Sequence, residues 1–247
     1  MEYYSRLGGS MSLVVDHGSA QNLIGLHSNI GSETMFSLSH DVAPPLAASS
    51  TAKRAFDVCF SLSVLITLLP VLLLIAIAIK IDSRGPVFFK QVRWGRNQKP
   101  IHIYKFRSMR TDMCDATGVA QTVSGDPRIT RLGAFLRKSS LDELPQFINV
   151  LRGDMSVVGP RCHAIGMLAA GQLYEHLVPE YHQRHYVRPG ITGLAQVRGW
   201  RGPTTDAVHA KARIACDIYY IRKYSLWLDI KIIVGTIRNE LKGGTGL

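Results

Sequence analysis

VCFSLSVLITLLPVLLLIAIAI, Val58 to Ile79, is the stretch on which the fold turns: 22 consecutive residues without a charge. As one straight helix it would extend roughly 33 Å, enough to cross the hydrocarbon of a bilayer. Two features point to another arrangement. Pro70 lies just past the middle, where its missing N–H and its ring would cost about 3 kcal/mol in an unbroken helix. Cations flank both ends, Lys53 and Arg54 before and Lys80 and Arg84 after, whereas a spanning helix concentrates them on its cytoplasmic side. A re-entrant helix, break, helix segment over 53–84, broken at Pro70, satisfies both observations. A kinked single span is the alternative.

On the N-terminal side, residues 1–52 are rich in Ser, Gly, Ala and His and end in Ala43-Pro44-Pro45-Leu46-Ala47-Ala48-Ser49-Ser50. They hold no sustained apolar period, which predicts a disordered tail. No basic region followed by an apolar core opens the sequence, so a secretory signal is not expected. With 247 residues, 46% of them hydrophobic, the chain can bury one sizeable core. That core is expected in residues 85–247. Lys and Arg number 29 against 18 Asp and Glu, a formal charge of +11, which suits an anionic lipid surface, a nucleotide or a nucleic acid. The basic residues are spread among Gly-Pro and acidic blocks, without the basic helix or zinc spacing of a nucleic-acid reader. Cys59, Cys114, Cys162 and Cys216 show no metal-ligand spacing, so neither a zinc site nor a disulfide framework is indicated and a reducing cytoplasmic setting fits.

Beyond the apolar run, Gly85 to Gly95 and Pro100 to Met109 are β-prone and separated by Gly-Arg-Asn-Gln, which predicts a β-hairpin. Lys105 and Arg107 fall on one face at period two, so both can point at one anionic ligand or simply line a solvated face. A helix through Arg131 to Lys138 then leads into Arg137-Lys138-Ser139-Ser140-Leu141-Asp142-Glu143-Leu144-Pro145-Gln146. Asp142 and Glu143 are neighbours, diverging by about 100° on a helix, so they cannot act as an opposed acid and base. A shared metal or phosphate suits them better. Ser139 or Ser140 reads as an N-cap with the carboxylates in the first turn, where the helix dipole would hold Asp142 ionised; plain capping explains the same pattern. The C-terminal part, Ala207 to Leu241, is helical in pattern and carries Tyr219, Tyr220, Tyr224 and Trp227 among cations. That mixture suits interfacial helices at a membrane, or an aromatic face packed on a core.

These blocks, in order, resemble the bacterial sugar transferase family, the monotopic phosphoglycosyl transferases that start glycan assembly on a polyprenyl phosphate. The resemblance covers about residues 52–243. It rests on Lys-Arg-x-x-Asp at Lys53 to Asp57, the proline-broken apolar segment, Tyr104-Lys105-Phe106-Arg107-Ser108-Met109, Ser140 to Gln146, Gly159-Pro160-Arg161, Arg188-Pro189-Gly190-Ile191-Thr192-Gly193-Leu194-Ala195-Gln196-Val197, and Tyr219-Tyr220 through Asp229. The chain departs from the family at three places: Leu69 where Ser usually precedes the membrane proline, Cys162 where Gly-Pro-Arg-Pro would end in proline, and Arg198-Gly199-Trp200-Arg201 after the Gln-Val block.

The resemblance implies an α+β, mostly helical catalytic domain on the cytoplasmic side of the bacterial inner membrane. It implies transfer of hexose 1-phosphate, from UDP-glucose or UDP-galactose, to polyprenyl (undecaprenyl) phosphate in exopolysaccharide or other glycan assembly, with release of UMP. Asp142 would be the nucleophile and Glu143, with Asp142, would hold Mg²⁺. Lys105, Arg107, Arg137, Arg161, Arg188 and Arg201 would bind phosphate or substrate, and Asp229 is carried over with them. Partners would be the UDP-sugar, the polyprenyl phosphate, inner-leaflet anionic lipid and downstream glycosyltransferases, with no nucleic acid. A non-catalytic basic membrane adaptor is the competing class, in which Asp142 and Glu143 would be dispensable. Cysteines engineered on either side of residues 58–79 are expected to react with an impermeant label from the same face; labelling from opposite faces would exclude the re-entrant arrangement.

Overall fold

Ser50 begins the described structure, a computed structural model in which residues 50–111 and 125–242 are described. The expected tail therefore lies outside the described residues except at its end, where Thr51 and Ala52 already form the first turn of α1 (Thr51–Thr67), capped by the Ser50 side chain accepting from Lys53 N–H. Cys114 also lies outside them, and the other three cysteines are free. A second helix, α2 (Leu69–Asp82), follows at a bend of 63°. Among the described residues no single helix is long and apolar enough to cross a membrane, whereas this bent pair is by length and composition.

The bend falls at Leu68, and Pro70 occupies the first turn of α2. That is where a proline costs least, because its missing N–H has no helical partner to lose. Both arms of the pair are tied to the same folded body. In α1, Lys53 Nζ donates to Asp229 Oδ2 at 2.8 Å, Arg54 donates to the carbonyls of Val150 and Leu151, and Asp57 Oδ1 accepts from Val157 N–H. In α2, Ile75 and Ile79 pack on Phe106 and Leu136. Leu62, Ile66, Leu69, Leu73, Leu74, Ile77 and Ile81 stay exposed around the bend. An apolar surface of that extent, on a segment without charge, is not covered by the other described residues.

The predicted hairpin is present: β1 (Phe88–Trp94) pairs antiparallel with β2 (Pro100–Phe106), with Phe89 opposite Lys105 and Arg93 opposite Ile101. The turn between them puts Asn97 and Gln98 at positive φ, which a short hairpin connection demands and asparagine tolerates. Next come α3 (Arg131–Lys138), a 3₁₀ turn Leu141–Glu143, and α4 (Gln146–Arg152). The short β3 (Ser156–Val158) pairs in parallel with β6 (Gly190–Thr192), and β4 (Leu168–Ala169) with β5 (Gln172–Leu173). Between them lie α5 (Tyr174–Leu177) and a 3₁₀ segment Pro179–Tyr186. The chain closes with α6 (Leu194–Val197), α7 (Ala207–Arg222) and α8 (Leu226–Leu241). The described protein is thus mostly helical with three small two-stranded sheets.

The main core joins Ile103 of β2, Val150 of α4, Val157 and Val158 of β3, Cys216 and Tyr220 of α7, and Ile232 of α8. The two C-terminal helices divide the aromatic residues expected at an interface. Tyr220 is buried, its hydroxyl donating to Asp229 Oδ1 at 2.8 Å, so α7 is a core helix and not an interfacial one. On α8, Trp227, Ile230, Val234, Ile237 and Leu241 are exposed at helical spacing and form one apolar face. Asp229 on the opposite side is fully buried, bonded to Lys53 and Tyr220. It ties α1 to α8, and its expected contact with substrate gives way to this structural one.

Removing one partner of a buried ion pair leaves the other charge desolvated, at a cost of about 3 kcal/mol or more. Asp229→Ala is therefore expected to lower unfolding free energy by about 3 kcal/mol, with Asp57, 3.6 Å from Lys53 Nζ, limiting the loss. Denaturant titration of the purified variant measures it.

Candidate active site

The site is built where three backbone segments meet. The first is the 3₁₀ turn carrying Asp142 and Glu143. Ser139 ends α3 and Ser140 takes a left-handed conformation (φ 55°), reversing the chain. Neither serine caps the turn with its side chain, contrary to the expectation from sequence. Ser139 Oγ donates to Phe135 O, and Ser140 Oγ to Glu240 Oε2. The carboxylates follow a tight reversal and precede Pro145 and α4, so they do not sit in the first turn of a long helix.

The second segment is β2. Asn149 of α4 locks onto it, its amide oxygen accepting from Tyr104 N–H at 2.9 Å and its amide nitrogen donating to His102 O at 2.7 Å. This holds Lys105 over the turn, and Lys105 Nζ donates to Glu143 Oε1 at 2.8 Å. The third segment is Gly159-Pro160-Arg161, laid along β6 by Gly159 N–H to Thr192 O and Gly190 N–H to Pro160 O. A Cβ on Gly190 would lie 2.1 Å from Gly159 N, so only glycine permits this approach. Arg161 then forks onto Glu143, Nη1 to Oε2 at 2.8 Å and Nη2 to Oε1.

The pKa values of the two adjacent carboxylates are thereby shifted in opposite directions. Burial works to raise the Glu143 pKa, but Arg161 and Lys105 outweigh it and hold the group well below the usual carboxylate range. Asp142 is 6% exposed and accepts no hydrogen bond from any described residue. Its pKa is raised to about 6, chiefly by burial and further by the Glu143 charge, against the pull of Lys105, Arg137 and Arg161. The Asp142 charge therefore draws no support from the first turn of a long helix, and desolvation raises its pKa. At neutral pH the group is still mostly ionised, with lone pairs not engaged by any described donor.

The other expected site residues separate. Arg137 lies close enough to Asp142 to favour its ionised form. Arg107 is 4% exposed and donates to the carbonyls of Ile79, Ser83 and Arg84. It therefore finishes the C-terminal end of α2 and is not directed at the ligand site with Lys105; β2 ends at Phe106, so the period-two alternation does not carry on to it. Arg188 Nε donates to Gly153 O at the C-terminal end of α4, where Arg54 also binds carbonyls, and so supports that helix end. Arg201 Nη1 donates to Glu240 Oε1 at 2.8 Å, and Glu240 also receives Ser140, which places Arg201 one side chain removed from the turn. Sequence reading missed Asn149 and the buried Arg184, whose Nη2 donates to Arg161 O at 2.6 Å while Asp217 holds it. A buried arginine paired to an aspartate 33 positions later leaves no local periodic signal.

No cluster of three or more His, Cys, Asp or Glu residues placed to hold a metal occurs among the described residues. Asp142 and Glu143 still fit Mg²⁺, which takes one or two protein carboxylates together with waters and substrate phosphates. Glu143 would share its oxygens with Lys105 and Arg161 in doing so.

An open, buried carboxylate beside one clamped by two cations suits group transfer at an anionic centre. The chain belongs to the bacterial sugar transferase family, whose sequence pattern matches residues 48–243, and it is accordingly an enzyme, a transferase. It is 64% identical over 194 residues to the exopolysaccharide production protein PSS of Rhizobium leguminosarum bv. phaseoli, covering 78% of this chain and 97% of that one. It is 52% identical to the undecaprenyl-phosphate glucose phosphotransferase of Komagataeibacter xylinus, over 76% of this chain and 36% of that protein. With the UDP-glucose:undecaprenyl-phosphate glucose-1-phosphate transferase of Escherichia coli (strain K12) the identity is 49%, over 75% of this chain and 39% of that protein. The chain thus spans nearly the whole Rhizobium protein and little more than a third of the other two.

The raised pKa of Asp142 has a sign that can be tested. Between its ordinary value of 3.8 and about 6 the folded state holds the proton more tightly than the unfolded one, so ionisation destabilises the fold as pH rises through that window. Asp142→Asn is expected to raise the melting temperature at pH 8, with the gain shrinking below pH 6 and vanishing below about pH 4. Paired thermal scans of wild type and variant across that range measure it.

Proposed function

We propose that this chain transfers hexose 1-phosphate from a UDP-sugar, UDP-glucose or UDP-galactose, to polyprenyl (undecaprenyl) phosphate, releasing UMP. The observation that carries the proposal is the pairing of a buried Asp142 carboxylate without a described hydrogen-bond donor and a Glu143 carboxylate held by Lys105 and Arg161. The names of the Komagataeibacter and Escherichia relatives support the acceptor and the sugar phosphate.

In this mechanism Asp142 attacks the β-phosphorus of the UDP-sugar. The Asp142 Oδ–P bond forms as the bridging P–O bond breaks, and the electron pair leaves on UMP. The polyprenyl phosphate oxygen then attacks the same phosphorus and frees Asp142. Covalent catalysis divides one exchange between anions into two shorter ones. Lys105, Arg161 and Arg137 neutralise the phosphoryl oxygens, Arg by its planar fork and Lys as a point charge. A bound Mg²⁺, held by Glu143 and Asp142, would supply further charge neutralisation to the diphosphate. Burial of Asp142 keeps water from competing for the adduct.

The bent pair of α1 and α2, with its exposed apolar surface, would enter the cytoplasmic leaflet of the bacterial inner membrane and return. The apolar face of α8 would lie at the interface beside anionic lipid. The lipid phosphate then meets Asp142 without leaving the bilayer, and downstream glycosyltransferases extend the product.

Membranes incubated with polyprenyl phosphate, Mg²⁺ and a panel of UDP-sugars are expected to release UMP; release of UDP would contradict the proposed bond cleavage. Asp142→Asn is expected to abolish both turnover and the trapped phosphosugar adduct, and full activity of that variant would sink the nucleophile assignment. Glu143→Gln is expected to impair the metal-dependent rate, and chelation to remove activity that added Mg²⁺ restores.

A further inference from the structure

We infer that Arg93, on β1, binds the nucleoside-side phosphate of the sugar nucleotide and stabilises the nucleoside monophosphate as it leaves. This rests on the reaction proposed above and adds to it a residue outside the blocks that carry the family resemblance.

Residues opposite one another in an antiparallel pair share a face. Phe89, Gln91 and Arg93 lie opposite Lys105, Ile103 and Ile101, so Arg93 and Lys105 project from the same side of the hairpin. Gln91 is buried, and its Oε1 accepts from both Nε and Nη2 of Arg93, the former at 2.9 Å, which fixes the plane of the guanidinium. The next residue anchors the strand end: Trp94 N–H donates to His163 O at 3.1 Å, two positions beyond Arg161. Arg93 is thus brought beside Arg161 and Cys162, within electrostatic range of Glu143.

Among the described residues no carboxylate hydrogen-bonds to Arg93. The hydrogen bonds it makes to described residues go to a neutral amide, while Glu143 is already bonded by Arg161 and Lys105. Burial and the neighbouring Arg161 both disfavour the Arg93 cation. A half-buried guanidinium held flat, next to a second one and with no carboxylate of its own among the described residues, is a receptor for a phosphate.

The order of groups says which phosphate. Asp142 is influenced by Lys105, Arg137 and Arg161, and Arg93 by Arg161 and Glu143. Arg161 reaches Glu143, next to Asp142, with its side chain, and the same segment meets the β1 end that carries Arg93 through Trp94 N–H to His163 O. In displacement at phosphorus the entering and leaving oxygens are in line on opposite sides. As the Asp142 Oδ–P bond forms and the P–O bond to the nucleoside phosphate breaks, the bonding pair passes to the leaving oxygen and UMP gains one negative charge. No proton is needed if a cation waits on the side away from Asp142, and Arg93 is the cation inferred to do so.

The test measures UMP binding to the resting full-length protein in detergent, together with the two half-reactions separately. In Arg93→Ala the dissociation constant for UMP is expected to rise about 10- to 100-fold, as for loss of a charge-assisted hydrogen-bond pair. Adduct formation from UDP-glucose in a single turnover is expected to slow. Resolution of the preformed adduct by polyprenyl phosphate is expected to keep the wild-type rate. Arg93→Lys retains charge without the fork and should recover part of the adduct-forming rate, which guards against a misfolded alanine variant. Unchanged UMP affinity in both variants, or equal slowing of both half-reactions, overturns the inference. If the wild type itself neither binds nor releases UMP, the phosphotransfer reading fails instead.

Discussion

Everything in the candidate site depends on the carboxylate of Glu143, which receives Lys105 from the hairpin and the fork of Arg161 from the strand-like segment before Cys162. One side chain thereby fastens three stretches of backbone far apart in sequence. Such a half-buried ionic cluster is a costly way to gain stability, since desolvation offsets much of the attraction. Its value lies elsewhere. It fixes the positions of two cations and leaves Asp142 beside them without a donor of its own.

The consequence is a division of state between neighbours in sequence. Glu143 is firmly ionised because its charge is answered, whereas Asp142 is raised toward neutrality because burial is answered only at a distance. A nucleophile engaged by strong donors would have to lose them before reacting. Asp142 has no such hydrogen bond among the described residues to give up, and in the proposed reaction Lys105, Arg161 and Arg93 would answer the charge of the sugar nucleotide instead.

The apolar pair is joined to this site by the same kind of economy. Arg54 finishes the carbonyls at the end of α4, and Arg107 finishes those at the end of α2, so each arm of the bent pair shares polar satisfaction with an element next to the turn of Asp142 and Glu143. Ile79 and Phe106 pack between them. Displacing the pair would leave carbonyls unbonded on both sides, which is why its placement and that of the turn are mechanically linked.

The sequence alone determined what local pattern can carry: the hairpin, from two β-prone runs about a turn; the break in the apolar segment, from one proline; and the acidic pair, from its setting in a family of ordered blocks. Those features depend on neighbours within a few residues, where periodicity and backbone restriction act. Tertiary structure decided how the charges are used. Arg107 and Arg188 read as phosphate ligands but bond helix-end carbonyls, Asp229 reads as a site residue but neutralises Lys53, and Tyr220 reads as interfacial but lies in the core. Arg93 and Arg184 gained their positions only from packing. A side chain's charge is written in the sequence, but its partner and its burial are set by contacts between distant segments, and those two quantities decide whether it binds a ligand or holds the fold.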